Sequence, residues 1–130
     1  MQHSKPELNF EDDRGTITDI LTRIPIDAVT VIRSNRGVVR GNHYHKDTIQ
    51  WIYVQSGKLK SLTQMGDDPL ITRILNPGDL LLTETMEKHT MVALEDSEFF
   101  VFTRGPRSGD GYENDTYKLD VPLETLSTES

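Results

Sequence analysis

Apolar residues along this chain recur mostly at a spacing of two, in runs of a few residues separated by clusters of Gly, Pro, Asp and Asn. That alternation is the period of a strand with one buried face, and no sustained helical period of three to four appears. Strands are predicted over residues 16–21, 28–34, 58–64, 71–75, 80–82, 91–94 and 98–103, with further strands in the central stretch 37–57. In the second of these Val29, Val31 and Arg33 share one face. The breaks carry turn chemistry: a charged turn ending at Gly15, Asn35-Arg36-Gly37, Gly66-Asp67-Asp68-Pro69 and Asn76-Pro77-Gly78-Asp79. Proline presets φ and glycine accepts positive φ at such places. About eight or nine short strands with turns between them read as an all-β barrel or double-sheet jelly roll.

The expected organisation is one domain. Residues 1–9 form a polar lead-in, 10–103 the barrel, and 104–130 a polar tail that packs on the barrel through Tyr112, Tyr117, Leu119, Val121 and Leu123, with 127–130 loose. A chain of 130 residues that is 35% hydrophobic, with four Phe, four Tyr and one Trp, is sufficient for a single core. The formal net charge of −7 argues against a nucleic-acid surface, so an anionic ligand would need a local basic pocket. With no cysteine there is no disulfide, thiolate metal site or thiol nucleophile. Residues 1–10 are too polar for a signal peptide and no apolar run reaches membrane-spanning length, which makes the cytoplasm the default location.

Candidate chemistry gathers in the central stretch. On an extended strand His43 and His45 point to the same side. If the chain turns at Lys46–Asp47 and comes back as a paired strand, Gln50 falls opposite them, and His89 can join from far along the chain. Such a cluster has two uses. Neutral imidazoles with one oxygen suit Zn, Ni, Fe or Mn, although Gln50 supplies no negative charge. The same imidazoles suit general acid–base catalysis, with Gln50 orienting one ring. His3, in the polar lead-in, is expected to be inert. If Gln50 faces inward, Trp51 and Tyr53 face outward, and a symmetric homodimer is the simplest cover for them; packing under Tyr112 or Tyr117 is the alternative.

The stretch resembles the first motif of the cupin family: Gly, five residues, His-x-His, three or four residues, Glu, six residues, Gly. Gly37, His43, His45, position 50 and Gly57 meet every spacing, with Gln50 in place of Glu. In the register of the second motif stand Gly78, Glu84, Met86, His89 and Ala93, of which only the glycine and the histidine match. The resemblance implies a double-stranded β-helix, the jelly-roll barrel of that family. Within it, Phe10-x-Asp12-x-Arg14-Gly15 followed by Arg40-Gly41-x-His43-Tyr44 is similar to the nucleotide-sugar 3,5-epimerases, in which the histidine after the second Arg-Gly removes a proton beside a sugar ketone. Arg40-Gly41-Asn42-His43-Tyr44-His45-Lys46 with Gln50, and later His89-Thr90, resembles the nucleotide-sugar 3,4-ketoisomerases still more. In that group Gln commonly stands where metal cupins have Glu, and the two motif histidines act as acid and base without a metal.

These resemblances imply an isomerase or epimerase of a nucleotide-diphosphate-linked keto sugar. His43 and His45 would be the acid–base pair, no cofactor would be required, and a small-molecule substrate would be the partner. The developing oxyanion and the pyrophosphate call for positive charge, for which Arg14, Arg33 and Arg40 are the candidates, with Gln50 as a further substrate contact. Strict alternation turns Arg40 away from His43, so its role requires a bulge that Gly41 can supply. Two alternatives stay open: a metal cupin using His43, His45, Gln50 and His89 as an oxygenase or a metal-dependent lyase or isomerase, and a non-enzymatic module that binds a small acid or sugar.

Overall fold

The computed structural model describes residues 2–106 and 110–126. The expectation of a loose segment over 127–130 lies outside the described residues. In chain order the elements are β1 (His3–Ser4), β2 (Phe10–Asp12), β3 (Gly15–Ile17), β4 (Ala28–Ser34), β5 (Val39–His45), β6 (Ile49–Ser56), β7 (Leu59–Met65), β8 (Ile71–Leu75), β9 (Leu80–Thr83), β10 (Glu87–Ala93) and β11 (Ser97–Arg104). A one-turn helix α1 (Gly111–Asn114), strand β12 (Thr116–Lys118) and a 3-10 turn (Leu123–Thr125) complete them.

Two five-stranded antiparallel sheets face each other, in the orders β1-β9-β6-β11-β4 and β12-β5-β10-β7-β8. β2 and β3 pair only with each other, so the strand expected over 16–21 is the short second arm of a hairpin. The strand expected from Met91 begins earlier, at Glu87, and carries His89. No described helix is long and apolar enough to cross a membrane.

Alternation decides what lies between the sheets. In β6, Gln50, Ile52 and Val54 are buried while Trp51 and Tyr53 are half-buried on the other side. Register then assembles inward-facing rows across the first sheet. Leu81, Ile52 and Val101 stand side by side, and Thr83, Gln50 and Thr103 form the next row. The core continues through Val54, Phe99, Leu59, Leu75 and Ala93. Each of these side chains except that of Ala93 contributes about 1.5–3 kcal/mol of burial. The barrel is therefore apolar over most of its depth and polar at the level of Gln50, where the histidine cluster faces it.

The outer face of the same sheet is also apolar. Val31, Phe100, Tyr53 and Leu80 are aligned across four strands, and Val29, Phe102, Trp51 and Leu82 form the neighbouring row. Val29 and Val31 are 62% and 49% exposed.

The segment after residue 104 becomes part of the second sheet. β12 pairs antiparallel with β5, placing Thr116, Tyr117 and Lys118 opposite His45, Tyr44 and His43. Tyr117 stacks on Tyr44 with ring centroids 5.2 Å apart, and Lys46 Nζ lies 4.4 Å from the Tyr117 centroid. Leu123, 1% exposed, is the tail's fully buried anchor. It follows that Tyr117 does not cover Trp51 and Tyr53, which lie on the other sheet.

Candidate active site

His43 and His45 point inward from β5, and His89 joins them from β10, directly opposite His43 in register. Their ring centroids are 4.8 Å (His43–His45), 4.6 Å (His43–His89) and 5.1 Å (His45–His89) apart. Beside them opens a cavity of about 440 Å³. Arg40, His43, His89, Gln50 and Tyr112 supply its polar part, and Ile32, Ile52, Met91, Phe99 and Val101 an apolar wall.

Hydrogen bonds fix which edge of two rings faces the centre. A backbone carbonyl can only accept, so the 3.0 Å contact of His89 Nδ1 with the Glu87 oxygen makes Nδ1 the donor. The 3.0 Å contact of His45 Nδ1 with the Asp115 oxygen does the same for His45. Among the described residues the His43 side chain makes no hydrogen bond and lies against the cavity. Burial, then the charge on neighbouring His45, pushes His43 down from 6.5 to about 4. His89 is pushed to about 3, again by burial and then by the His43 charge. Both rings are thus neutral near pH 7, with lone pairs available to a proton or a metal.

A bulge brings Arg40 to the cavity. His43 pairs with His89 and Gly41 with Thr90, so Asn42 is the extra residue on β5. It sits at φ 58° beside Gly41 at φ 109°. A Cβ on Gly41 would lie 2.8 Å from the His89 carbonyl oxygen. This is the irregularity that the sequence called for if Arg40 was to reach the His43 side. Arg40 Nε donates to Ser34 Oγ at 2.8 Å, and its NH2 group to the Arg33 carbonyl at 3.2 Å. The tail secures the bulge: Asn42 Oδ1 accepts from the Leu123 amide at 2.8 Å, and Asn42 Nδ2 donates to Glu124 Oε1 at 2.9 Å.

Arg33 and Arg14, expected beside the substrate, lie outside this cavity. Arg33 shares the solvent face with Val29 and Val31 and pairs with Glu98 at 2.7 Å. Arg14 is exposed on the β2–β3 hairpin and pairs with Asp12 at 2.6 Å. His3 lies outside the cluster, 3.4 Å from Asp79.

A model of the cupin domain matches residues 31–103. The chain belongs to the cupin family. No curated protein matches this cupin significantly. Among solved structures it is similar to a dTDP-4-dehydrorhamnose 3,5-epimerase from Sulfolobus tokodaii, with 25% identity and a TM-score of 0.70 over 82% of this chain and 71% of that one. It shares its fold with a sugar 3,4-ketoisomerase from Thermoanaerobacterium thermosaccharolyticum in complex with TDP, at 20% identity and TM-score 0.75 over 92% and 89% of the two chains. A mutant of that ketoisomerase in complex with TDP-4-keto-6-deoxyglucose matches at 21% identity and TM-score 0.73, over 90% and 87%.

The sequence reading missed two residues of this cupin's site. Tyr112, on α1, places its hydroxyl 3.5 Å from His45 Nε2 and 3.5 Å from Gln50 Nε2. Asp115, 4% exposed, receives the amides of Lys46 and Asp47 at 3.0 Å and Thr48 Oγ1 at 2.6 Å. Burial raises the Asp115 carboxyl, but these hydrogen bonds and the charge His45 can carry outweigh it and hold it below the ordinary value. The only signal in the sequence was a Tyr with acidic neighbours inside a polar stretch. At the glycine position of the second motif stands Met86, which adopts the positive φ that a glycine accepts more readily, 68°, and its amide donates to the His45 carbonyl at 2.6 Å.

Proposed function

We propose that this cupin isomerises or epimerises a keto sugar linked to a nucleoside diphosphate, with His43 and His45 as the acid–base pair. The observation that carries the reading is His43: a neutral imidazole, without a hydrogen-bond partner among the described residues, facing a cavity that Arg40 also lines. A C–H bond beside a ketone is weakly acidic, and its proton passes to a nearby lone pair when the developing oxyanion is stabilised. His43 takes the proton and the C–H electron pair becomes the C=C bond of an enediolate. Arg40 and the Tyr112 hydroxyl lie where they can stabilise that charge. For a ketoisomerase that proton returns at the neighbouring carbon while His45, which reaches the cavity through the Tyr112 hydroxyl, takes the hydroxyl hydrogen from one oxygen of the enediolate and gives it back to the other. For an epimerase the Tyr112 hydroxyl protonates the opposite face of the same carbon, and the proton on His43 makes good the loss through solvent. Electrons are conserved within the sugar, so the steps require no cofactor. The apolar wall of Ile52, Met91, Phe99 and Val101 suits the less polar face of a deoxy sugar. The similar solved structures, named as enzymes of this chemistry, support the reading.

The experiment is incubation with TDP-4-keto-6-deoxyglucose in deuterium oxide. Deuterium entering the sugar carbon next to the ketone, lost in His43→Asn, is the expected result. Tight binding without exchange or turnover would replace the enzyme with a binding module.

A second reading rests on His43, His45 and His89, whose candidate ligand atoms all lie within 4.8 Å of one another. The donor set fits a divalent metal: neutral rings, two of them with Nδ1 tied to carbonyls, and Gln50 at hand as an oxygen donor. A metal held there would supply Lewis acidity to an oxygen of the substrate. About one equivalent in protein purified without chelator, absent from His43→Ala, would favour it.

The protein acts, in this proposal, as a homodimer. Two apolar rows on the outer face of the first sheet favour a second copy as their cover.

A further inference from the structure

Resting on the acid–base reading, we infer that Asp115 is a positioning residue that fixes His45 in one tautomer and so gives the polar chain through Tyr112 a single direction. Its carbonyl faces His45 Nδ1 at 3.0 Å and can only accept. The Thr116 hydroxyl lies 3.5 Å from the same nitrogen. Its proton is already committed to the Tyr112 carbonyl at 2.6 Å, so towards His45 it presents a lone pair. With two acceptors against it, Nδ1 carries the hydrogen and Nε2 keeps its lone pair.

The Tyr112 hydroxyl, 3.5 Å from Nε2, is then the donor on that side. Gln50 Nε2, which can only donate, approaches the Tyr112 oxygen from the other side at 3.5 Å. The order is Gln50 to Tyr112 to His45 to the Asp115 carbonyl, with every hydrogen pointing the same way. A proton taken up by His45 Nε2 is thereby drawn from the Tyr112 hydroxyl, which borders the cavity.

The carboxylate of Asp115 holds that carbonyl in place. It gathers three donors from the turn that follows His45: the amides of Lys46 and Asp47 and the hydroxyl of Thr48. The turn and the carbonyl are therefore one rigid unit around the ring, built from residues about 70 positions apart.

The test is the imidazole tautomer of His45, read by long-range proton–nitrogen correlation on chelator-treated protein with labelled histidine near pH 7.5. Wild type is expected to show Nδ1–H alone. In Asp115→Ala the two tautomers should mix, and kcat should fall about 10–100-fold with KM little changed. Asp115→Asn, which keeps an acceptor for the turn, should restore most of both. If Asp115→Ala does not fold, Thr48→Val removes one of the three donors and should shift the tautomer in the same sense. An Nε2–H tautomer in wild type, or an unchanged Nδ1–H tautomer in the folded variants, overturns the inference. If wild type turns over no keto sugar yet its tautomer responds to Asp115, the functional reading fails and the positioning role stands.

Discussion

Acid should destabilise this protein through His89 in a way that one substitution removes. The ordinary histidine value of 6.5 falls to about 3 in the folded chain, because burial and the neighbouring His43 charge disfavour the imidazolium. Above pH 6.5 the ring is neutral in both folded and unfolded chains, so its titration contributes nothing to stability. As pH falls below 6.5 the unfolded ring takes up a proton that the folded ring refuses, and stability declines until about pH 3 is reached. The slope is about 1.4 kcal/mol per pH unit, which amounts to about 2 kcal/mol between about pH 7.5 and pH 5. Against a total of about 5–15 kcal/mol for a domain, that is a large fraction.

Urea unfolding of chelator-treated wild type and His89→Gln at the two pH values isolates the effect, because the other titrating groups are common to both. Wild type should lose about 2 kcal/mol more than the variant, a relative midpoint shift of about 1 M. Parallel losses in the two proteins would show that His89 is not held neutral by its surroundings, and the electrostatic account of the cluster would fall with it.

Three further outcomes follow from the same geometry. Gly41→Ala places a methyl group 2.8 Å from the His89 carbonyl at φ 109°; a melting curve should record a loss of about 1–3 kcal/mol, and turnover should fall as the bulge shifts. Under the nucleotide-sugar proposal, Arg40→Ala should weaken TDP binding by about tenfold or more in calorimetry, whereas Arg33→Ala, whose side chain lies outside the cavity, should leave it within about twofold. Val31→Glu, at the centre of the outer apolar rows, should convert a dimer into a folded monomer in sedimentation velocity; a wild type that is already monomeric would remove the homodimer proposal.

What the sequence made legible was local. Two histidines at a spacing of two share a face wherever the strand is regular, but Gln50 meets them differently from expectation: β6 does not pair with β5, and Gln50 faces the cluster from the opposite sheet. The bulge at Gly41–Asn42 was legible too, because an arginine on the wrong side of a strand next to glycine implies an extra residue. Alternation groups residues by face but does not say which face is inside. β4 has apolar residues on both, so Val29 and Val31 drew Arg33 into the expected site while Thr30 and Ile32 in fact face the core. The tail was illegible for a different reason. Tyr112 and Asp115 act through contacts spanning 62 to 70 positions, and Asp115 works as a hydrogen-bond acceptor in a stretch whose composition resembles any solvated loop.

The dependence of the cluster on the tail also separates the integrity of the barrel from the readiness of its site. All strands of the two facing sheets except β12 precede residue 105, so the hydrophobic interior is built almost entirely without the tail. With the tail detached, His45 loses the carbonyl beside its ring, the turn after it loses the Asp115 carboxylate, and Asn42 loses the Leu123 amide. Competence is therefore the first property lost when β12 detaches from the sheet edge. Proteolysis beyond residue 105 should silence the site well before it unfolds the barrel.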